Sequence, residues 1–350
     1  MKALENIDRI QLTKEVILLL VSLYESKGKT FYYNELFSRD LQSFERKTKE
    51  LNMINIAKIF KLNLTSSRIK LLARKDIVAK TKDEHLFNNI KLALDRLHNN
   101  PENFELLVNE IESLLKVLSK NSDSINFNTY EHKGDALIKS RRRNKREDLE
   151  QLIELFDSEL RSKKFELTQL ITNFYVDFIN MEIVNPNNDL VALIILYALL
   201  IKNFNVFHYV SFFKYFNDSF SKWEQALVQA AYYWSSGFSQ TEMLSRVLLE
   251  MLIQIYEEID DIAHEYKFEK DLNKSDSIEN SILKMTEVFS KEDIRKRHPN
   301  VSDATINRTL KRLKEENIII PLGKGRSSKW QRIVKGHEIK NIKQLSIFND

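Results

Sequence analysis

The sequence predicts a mainly α-helical protein that carries a short β-hairpin near its middle and ends in a winged helix-turn-helix. Three observations lead there. Only six Gly and four Pro occur in 350 residues. These residues punctuate strands and turns, so long helices joined by short connections are expected. Apolar residues recur at three- and four-residue steps over most of the chain, as at Ile56, Ile59, Phe60 and Leu64. Residues 278–336 read as three short helices followed by two strands.

Taken in order, the stretch from Thr13 to Leu97 is helical in pattern, and residues 1–50 form its N-terminal segment. Pro101 is expected to open a further helix with Phe104, Leu107, Ile111, Leu114 and Leu115 on one face. From Ser124 to Tyr130 the periodicity changes to alternation, Ile125 and Phe127 against Asn126 and Asn128, which is a strand signal. A polar turn at Gly134 and a return strand at Ala136–Ile138 complete the expected hairpin. Lys139–Arg146 is six-eighths basic. It is read as a solvated loop or helix entry, with contact to an anionic ligand as the alternative. Leu149 to Tyr266 is helical almost throughout, and Asn185–Asp189 is a polar loop opening onto the apolar run Leu190–Ile201. Residues 51–266 are thus expected to form the main helical domain. The charged stretch 267–277 is read as a linker, and 337–350 as a tail.

Composition narrows the functional classes. The net charge is only +4, so a case for nucleic acid must rest on clustering of cations. With no Cys, disulfides, thiolate metal sites and Cys nucleophiles are excluded, which fits a reducing compartment. The apolar runs Val16–Val21 and Leu190–Ile201 are too short to span a bilayer. A cytoplasmic protein without a membrane partner is expected. The seven His (85, 98, 132, 208, 264, 298 and 337) show no ligand spacing, so no metal is expected. There is no Gly-rich phosphate loop, no Walker sequence and no Gly-x-Ser-x-Gly elbow.

In the C-terminal module, Ser281–Phe289 is expected as a helix with Ile282, Met285 and Phe289 inward. Ser290 should cap a second helix to Arg297, with the turn at Pro299 and Asn300. Ser302 should cap a third, ending at Glu315, with Ile306, Leu310 and Leu313 on its core face. Ile318–Leu322 and Trp330–Val334 are strands flanking the turn Gly323–Ser328. The third helix would present Thr305, Arg308, Lys311 and Arg312, and the wing would add Lys324, Arg326 and Lys329. These cations could neutralise phosphates while the helix enters a groove. Winged helices also serve in dimerisation and domain docking, so DNA and a protein partner stand side by side as the expected partners of this module.

The wording of this module resembles the winged helix that follows many bacterial Fic (Fido) domains. The likeness runs from Ser290-Lys-Glu-Asp-Ile-Arg through Ser302-Asp-Ala-Thr-Ile-Asn-Arg-Thr-Leu-Lys to Gly323-Lys-Gly-Arg-Ser-Ser-Lys-Trp330. Upstream, Thr65-Ser-Ser-Arg-Ile-Lys70 resembles the family's Ser-Ser-x-Ile-Glu-Gly segment, and Leu86–Leu97 the helix after it. The hairpin near Tyr130–Ile138 corresponds to a target-aligning flap. The helix from Leu190, His208-Tyr-Val-Ser211 and Trp223–Trp234 resemble the core after the active loop. The resemblance implies a Fic-like helical domain over residues 51–266.

Fic enzymes transfer AMP or a related group to a target hydroxyl, using His-x-Phe-x-Asp/Glu-Gly-Asn-Gly-Arg-x-x-Arg. Laid on that motif, Met181 takes the general-base position and Asn185 the acidic, metal-holding one. Pro186 and Asn188 take the glycine positions, and Asp189 and Ala192 the arginine positions. Asn187 alone is retained. A thioether cannot accept a proton, and an amide is a poor Mg²⁺ ligand. Lys70 stands where the family's inhibitory Glu would be. The resemblance therefore implies a catalytically degenerate protein with a regulatory or binding role and no cofactor. The alternatives are an active adenylyltransferase using ATP and Mg²⁺ at a divergent site, and an interaction scaffold that pairs with a protein partner or with itself.

Overall fold

The computed structural model describes residues 2–132, 141–271, 274–298, 301–323 and 329–333. The chain divides into two compact units, Met1–Ala263 and His264–Asp350. No helix among the described residues is long and apolar enough to cross a membrane.

The first unit opens with a 3-10 turn at Leu4–Arg9 and then five helices: α1 (Lys14–Gly28), α2 (Thr30–Phe37), α3 (Leu41–Ile59), α4 (Ser66–Arg74) and α5 (Lys82–Asn99). Three of them begin at a threonine, Thr13, Thr65 and Thr81, whose hydroxyl accepts an orphan first-turn N–H. A domain boundary at residue 50 would cut α3, which runs through it unbroken. Pro101 opens only a short 3-10 turn, Pro101–Asn103, and α6 (Val108–Leu118) starts five residues beyond its end. Leu107, with extended backbone, precedes that helix instead of lying in it.

The hairpin is present with a different return strand. β1 (Asn126–Phe127) and β2 (Thr129–His132) are followed by β3 (Arg141–Asn144), which pairs antiparallel with β2, Tyr130 opposite Arg143. Ala136–Ile138 lies outside the described residues. The basic run expected as loop or helix entry is thus part strand and, from Arg146, the start of α7 (Arg146–Ser162). The β2 ladder pairs the backbone groups on one edge of this strand, a constraint that side-chain polarity does not report.

α8 (Leu167–Asn180), β4 (Val184–Asn185) and α9 (Asn188–Asn203) form the centre of the unit. Every residue of α9 from Leu190 to Ile201 is buried. A helix apolar on all sides is stable only when surrounded, and α5 and α8 pack against it. Each such aliphatic side chain contributes about 1.5–3 kcal/mol of burial free energy. α10 (Phe212–Asp218) and α11 (Phe220–Tyr232) add an aromatic cluster in which Tyr197, Phe212, Phe213, Phe216 and Trp223 meet at centroid distances of 5.0–5.6 Å.

The stretch expected as a linker is largely helical. α12 runs over Glu242–Asp271 and α13 over Lys274–Lys284. Its charged residues are helix formers, which is why polarity alone misleads there. In the second unit, α13, β5 (Val288–Ser290), α14 (Lys291–Arg297), α15 (Asp303–Glu315), β6 (Ile319–Pro321) and β7 (Lys329–Arg332) follow in order, and the sheet order is β5-β7-β6. Phe289, expected at the end of a helix, lies on β5 opposite Trp330. It still points into the core formed with Ile278, Ile282, Met285, Ile294, Ile306, Leu310, Leu313 and Ile319. Ser290 and Asp293 cap α14 reciprocally, and Ser302 caps α15, as their sequence positions imply. Pro299 and Asn300 lie outside the described residues.

Candidate functional site

The segment from Met181 to Asp189 joins α8 to the N-terminus of α9, beside β1 and the hairpin. Met181 is half-buried and ends α8; its carbonyl accepts a hydrogen bond from the Lys145 ammonium. Glu182 turns the chain with a left-handed φ of 49°. Ile183 and Val184 are buried, and β4 pairs antiparallel with β1, Asn126 opposite Asn185. The Asn128 N–H donates to the Ile183 carbonyl at 2.9 Å, and the Lys145 N–H donates to Asn128 at 2.9 Å. The segment is therefore tied down by the strands on one side.

On the other side its ties are its own. The Asn185–Pro186 peptide is cis, and Asn187 adopts φ 64° at the N-cap of α9. The Asn188 carboxamide is turned inward: its oxygen accepts from the Val184 N–H at 3.2 Å, and its nitrogen donates to the Ile179 carbonyl at 3.3 Å. Asn185, Pro186, Asn187 and Asp189 face solvent. Asp189 lies in the first turn of α9, where a carboxylate answers the positive end of the helix. A proline has no N–H to offer an anion. Met181, Asn185, Asn187 and Asp189 thus lie on one short segment between α8 and the first turn of α9. Asp189 and Glu182 are the only titratable side chains between Met181 and Asp189.

The cationic residues expected to face nucleic acid separate into groups. Arg308 and Lys311 are exposed on α15, and Lys311 stands 3.9 Å from Glu315. Lys329 is exposed on β7. Arg312 is half-buried and committed to α13, its guanidinium 2.6 Å from the Glu279 carboxylate and 3.3 Å from Glu316. Thr305 is half-buried at the start of α15, its hydroxyl 3.0 Å from that of the cap residue Ser302. Lys324 and Arg326 lie outside the described residues. Arg295 on α14 holds Asp303 on α15, Nε to Oδ1 at 2.8 Å, fixing the two helices across their turn.

Two buried polar clusters have no signature in the sequence. Asp177, fully buried on α8, accepts the backbone N–H groups of Ala3 and Leu4 at 2.9 Å and the Trp234 indole N–H at 2.6 Å. Burial pushes its carboxyl up, while the three donors pull it down; the net direction is upward. His98 and His208, 110 positions apart, stack with centroids 4.8 Å apart. Burial, then His208 and Lys49, lower His98 to about 3. Burial also lowers His208, against the pull of Glu45 at 3.2 Å. Pairings at such separation carry no local spacing from which to be read.

No protein-family model matches the chain, and no curated protein matches its sequence. In three dimensions it is similar to a Fic family protein from Desulfovibrio desulfuricans G20, with a TM-score of 0.55 at 12% identity over 94% of this chain and 98% of that one. It is also similar to a Fic domain containing signaling protein from Bacteroides thetaiotaomicron VPI-5482, with a TM-score of 0.50 at 13% identity over 70% of this chain and 95% of that one. At such identities the likeness is one of backbone architecture: the chain has the Fic fold.

Proposed function

We propose that this chain is a catalytically degenerate Fic-fold protein that acts by binding, and that its C-terminal unit is a winged helix that contacts nucleic acid. The inward turn of Asn188 carries the first half of this reading. At the start of α9, where a Fic enzyme would cradle phosphates, the Asn188 amide closes the loop on Val184 and Ile179. Pro186 withholds an N–H, and Asp189 places a negative charge beside the helix end. Neither a nucleotide nor its Mg²⁺ fits that set of groups, so no reaction step is assigned to it.

The second half is supported by the order helix, strand, helix, helix, strand, strand and by exposed Arg308, Lys311 and Lys329. Lys324 and Arg326 extend the same cationic set in sequence. Arg312 leaves it, because its guanidinium serves Glu279.

Incubation of the full chain with labelled ATP, Mg²⁺ or Mn²⁺ and lysate should label no protein. Labelling that disappears on Asp189→Ala would overturn the degenerate reading. Fluorescence anisotropy with duplex DNA should show binding that weakens with salt, with a slope reduced by about one for each phosphate contact removed in Arg308→Ala and Lys324→Ala. Absent or salt-insensitive binding would leave a protein partner as the target of this unit.

A further inference from the structure

α1 has two apolar faces, and only one of them is used. Val16 and Leu23 are buried and Leu20 and Lys27 half-buried on the inner face, with Lys27 lying over the Phe204 ring at 4.6 Å. On the opposite face Lys14, Leu18, Val21 and Glu25 form a stripe spaced four, three and four, and all four are exposed. Leu18 is 67% and Val21 50% exposed. Ile17 (48%) and Tyr24 (41%) line one margin of the stripe. Glu15, paired with Arg246 at 2.5 Å, and Ser22 line the other. Neither Lys14 nor Glu25 has an ion pair among the described residues.

We infer that this stripe is the seam of a symmetric dimer in which α1 packs antiparallel against α1 of a second copy. The charges on the stripe select that occupant and that direction. A two-fold axis perpendicular to the helix, passing beside its exposed stripe at the level midway between Leu18 and Val21, sets Leu18 against the second copy's Val21, and Lys14 against its Glu25. Each apolar pair and each ion pair then occurs twice. The same axis brings Ile17 towards Tyr24 across the margin. A spacing of 3.5 residues between core positions is what lets two helices stay in contact along a seam. A parallel pairing would instead set Lys14 on Lys14 and Glu25 on Glu25, and both contacts would repel. An isologous contact of this kind closes at two copies. The seam is about 16 Å long, short for a standard interface, so a weak dimer with a dissociation constant of roughly micromolar or above is expected.

The test is sedimentation velocity of the full chain and its charge variants over a concentration series. The wild type should dimerise. Lys14→Glu sets two carboxylates against each other at both ends of the seam and should raise the dissociation constant about tenfold. Glu25→Lys should do the same, and the double variant Lys14→Glu/Glu25→Lys should restore wild-type association. Leu18→Glu should give a monomer whose thermal midpoint matches that of the wild-type monomer, because the residue is exposed. A wild type that stays monomeric up to 100-fold above the micromolar range, a dimer indifferent to Leu18→Glu, or a double variant no better than either single one would each overturn the assignment.

Discussion

The Trp234 indole N–H donates to Asp177 Oδ1 at 2.6 Å, and the same oxygen accepts the Ala3 N–H at 2.9 Å. One buried carboxylate therefore holds the 3-10 turn at the chain's start and a turn late in the first unit. Asp177→Asn keeps an oxygen for two of the donors but sets an amide NH₂ against the Leu4 N–H. Leaving a buried donor unsatisfied and forcing two donors together should cost about 3 kcal/mol. The urea midpoint should fall accordingly, with the folded far-ultraviolet circular dichroism retained below the transition.

The stacked imidazoles make the first unit acid-sensitive. His98 is held neutral, its folded value lowered to about 3 against an ordinary 6.5. A lowered value means the unfolded chain takes up the proton first. The neutral ring therefore contributes fully above pH 6.5, and that contribution is lost as pH falls towards the folded value. Between pH 7 and pH 5 the loss from this one ring should be on the order of 2 kcal/mol. His98→Phe, which keeps the stacking surface and cannot ionise, should show a smaller drop in urea midpoint over that interval.

Arg308 and Arg312 are four residues apart on one helix and should behave differently. Arg312→Ala removes a half-exposed ion pair with Glu279, and the second unit should lose up to about 1 kcal/mol. Arg308→Ala should leave stability within about 0.5 kcal/mol of the wild type and weaken DNA binding. Calorimetry and anisotropy on the two variants should give opposite orders of severity. Equal effects on DNA would mean that α15 does not present Arg308 as proposed.

Asn188→Ala takes away both hydrogen bonds of the inward carboxamide and strands the Val184 N–H. A loss of about 1–2 kcal/mol is expected. Nucleotide affinity measured by calorimetric titration should stay undetectable in this variant, because Pro186 and Asp189 remain.

Where an element is specified by local periodicity, the sequence reveals it. The α9 run Leu190–Ile201, the caps Ser290 and Ser302, and the core face Ile306, Leu310 and Leu313 are all where their spacing places them. The loop expected at Asn185–Asp189 shrinks to Pro186 and Asn187, because Asn185 pairs with Asn126 as part of β4 and α9 already begins at Asn188. What escaped was set by distant partners. Arg141–Asn144 is a strand because β2 lies beside it, and Phe289 is on β5 because β7 does. Arg312 could not be told from Arg308 by type or spacing; Glu279, on another helix, separates them. Lys145, which holds the Met181 carbonyl, was visible only as one more cation in a basic run.

The Asp177 clasp also bears on how the chain is made. Ala3 and Leu4 are 1% exposed in the finished fold, yet the acceptor of their N–H groups is synthesised more than 170 positions after them. Trp234 emerges later still. At roughly 5–20 residues per second, this segment waits from about ten to several tens of seconds before its partners exist. During synthesis this segment, with the apolar α1 directly behind it, is therefore a natural client for chaperones that engage nascent chains, and the clasp can close only when the first unit is nearly complete.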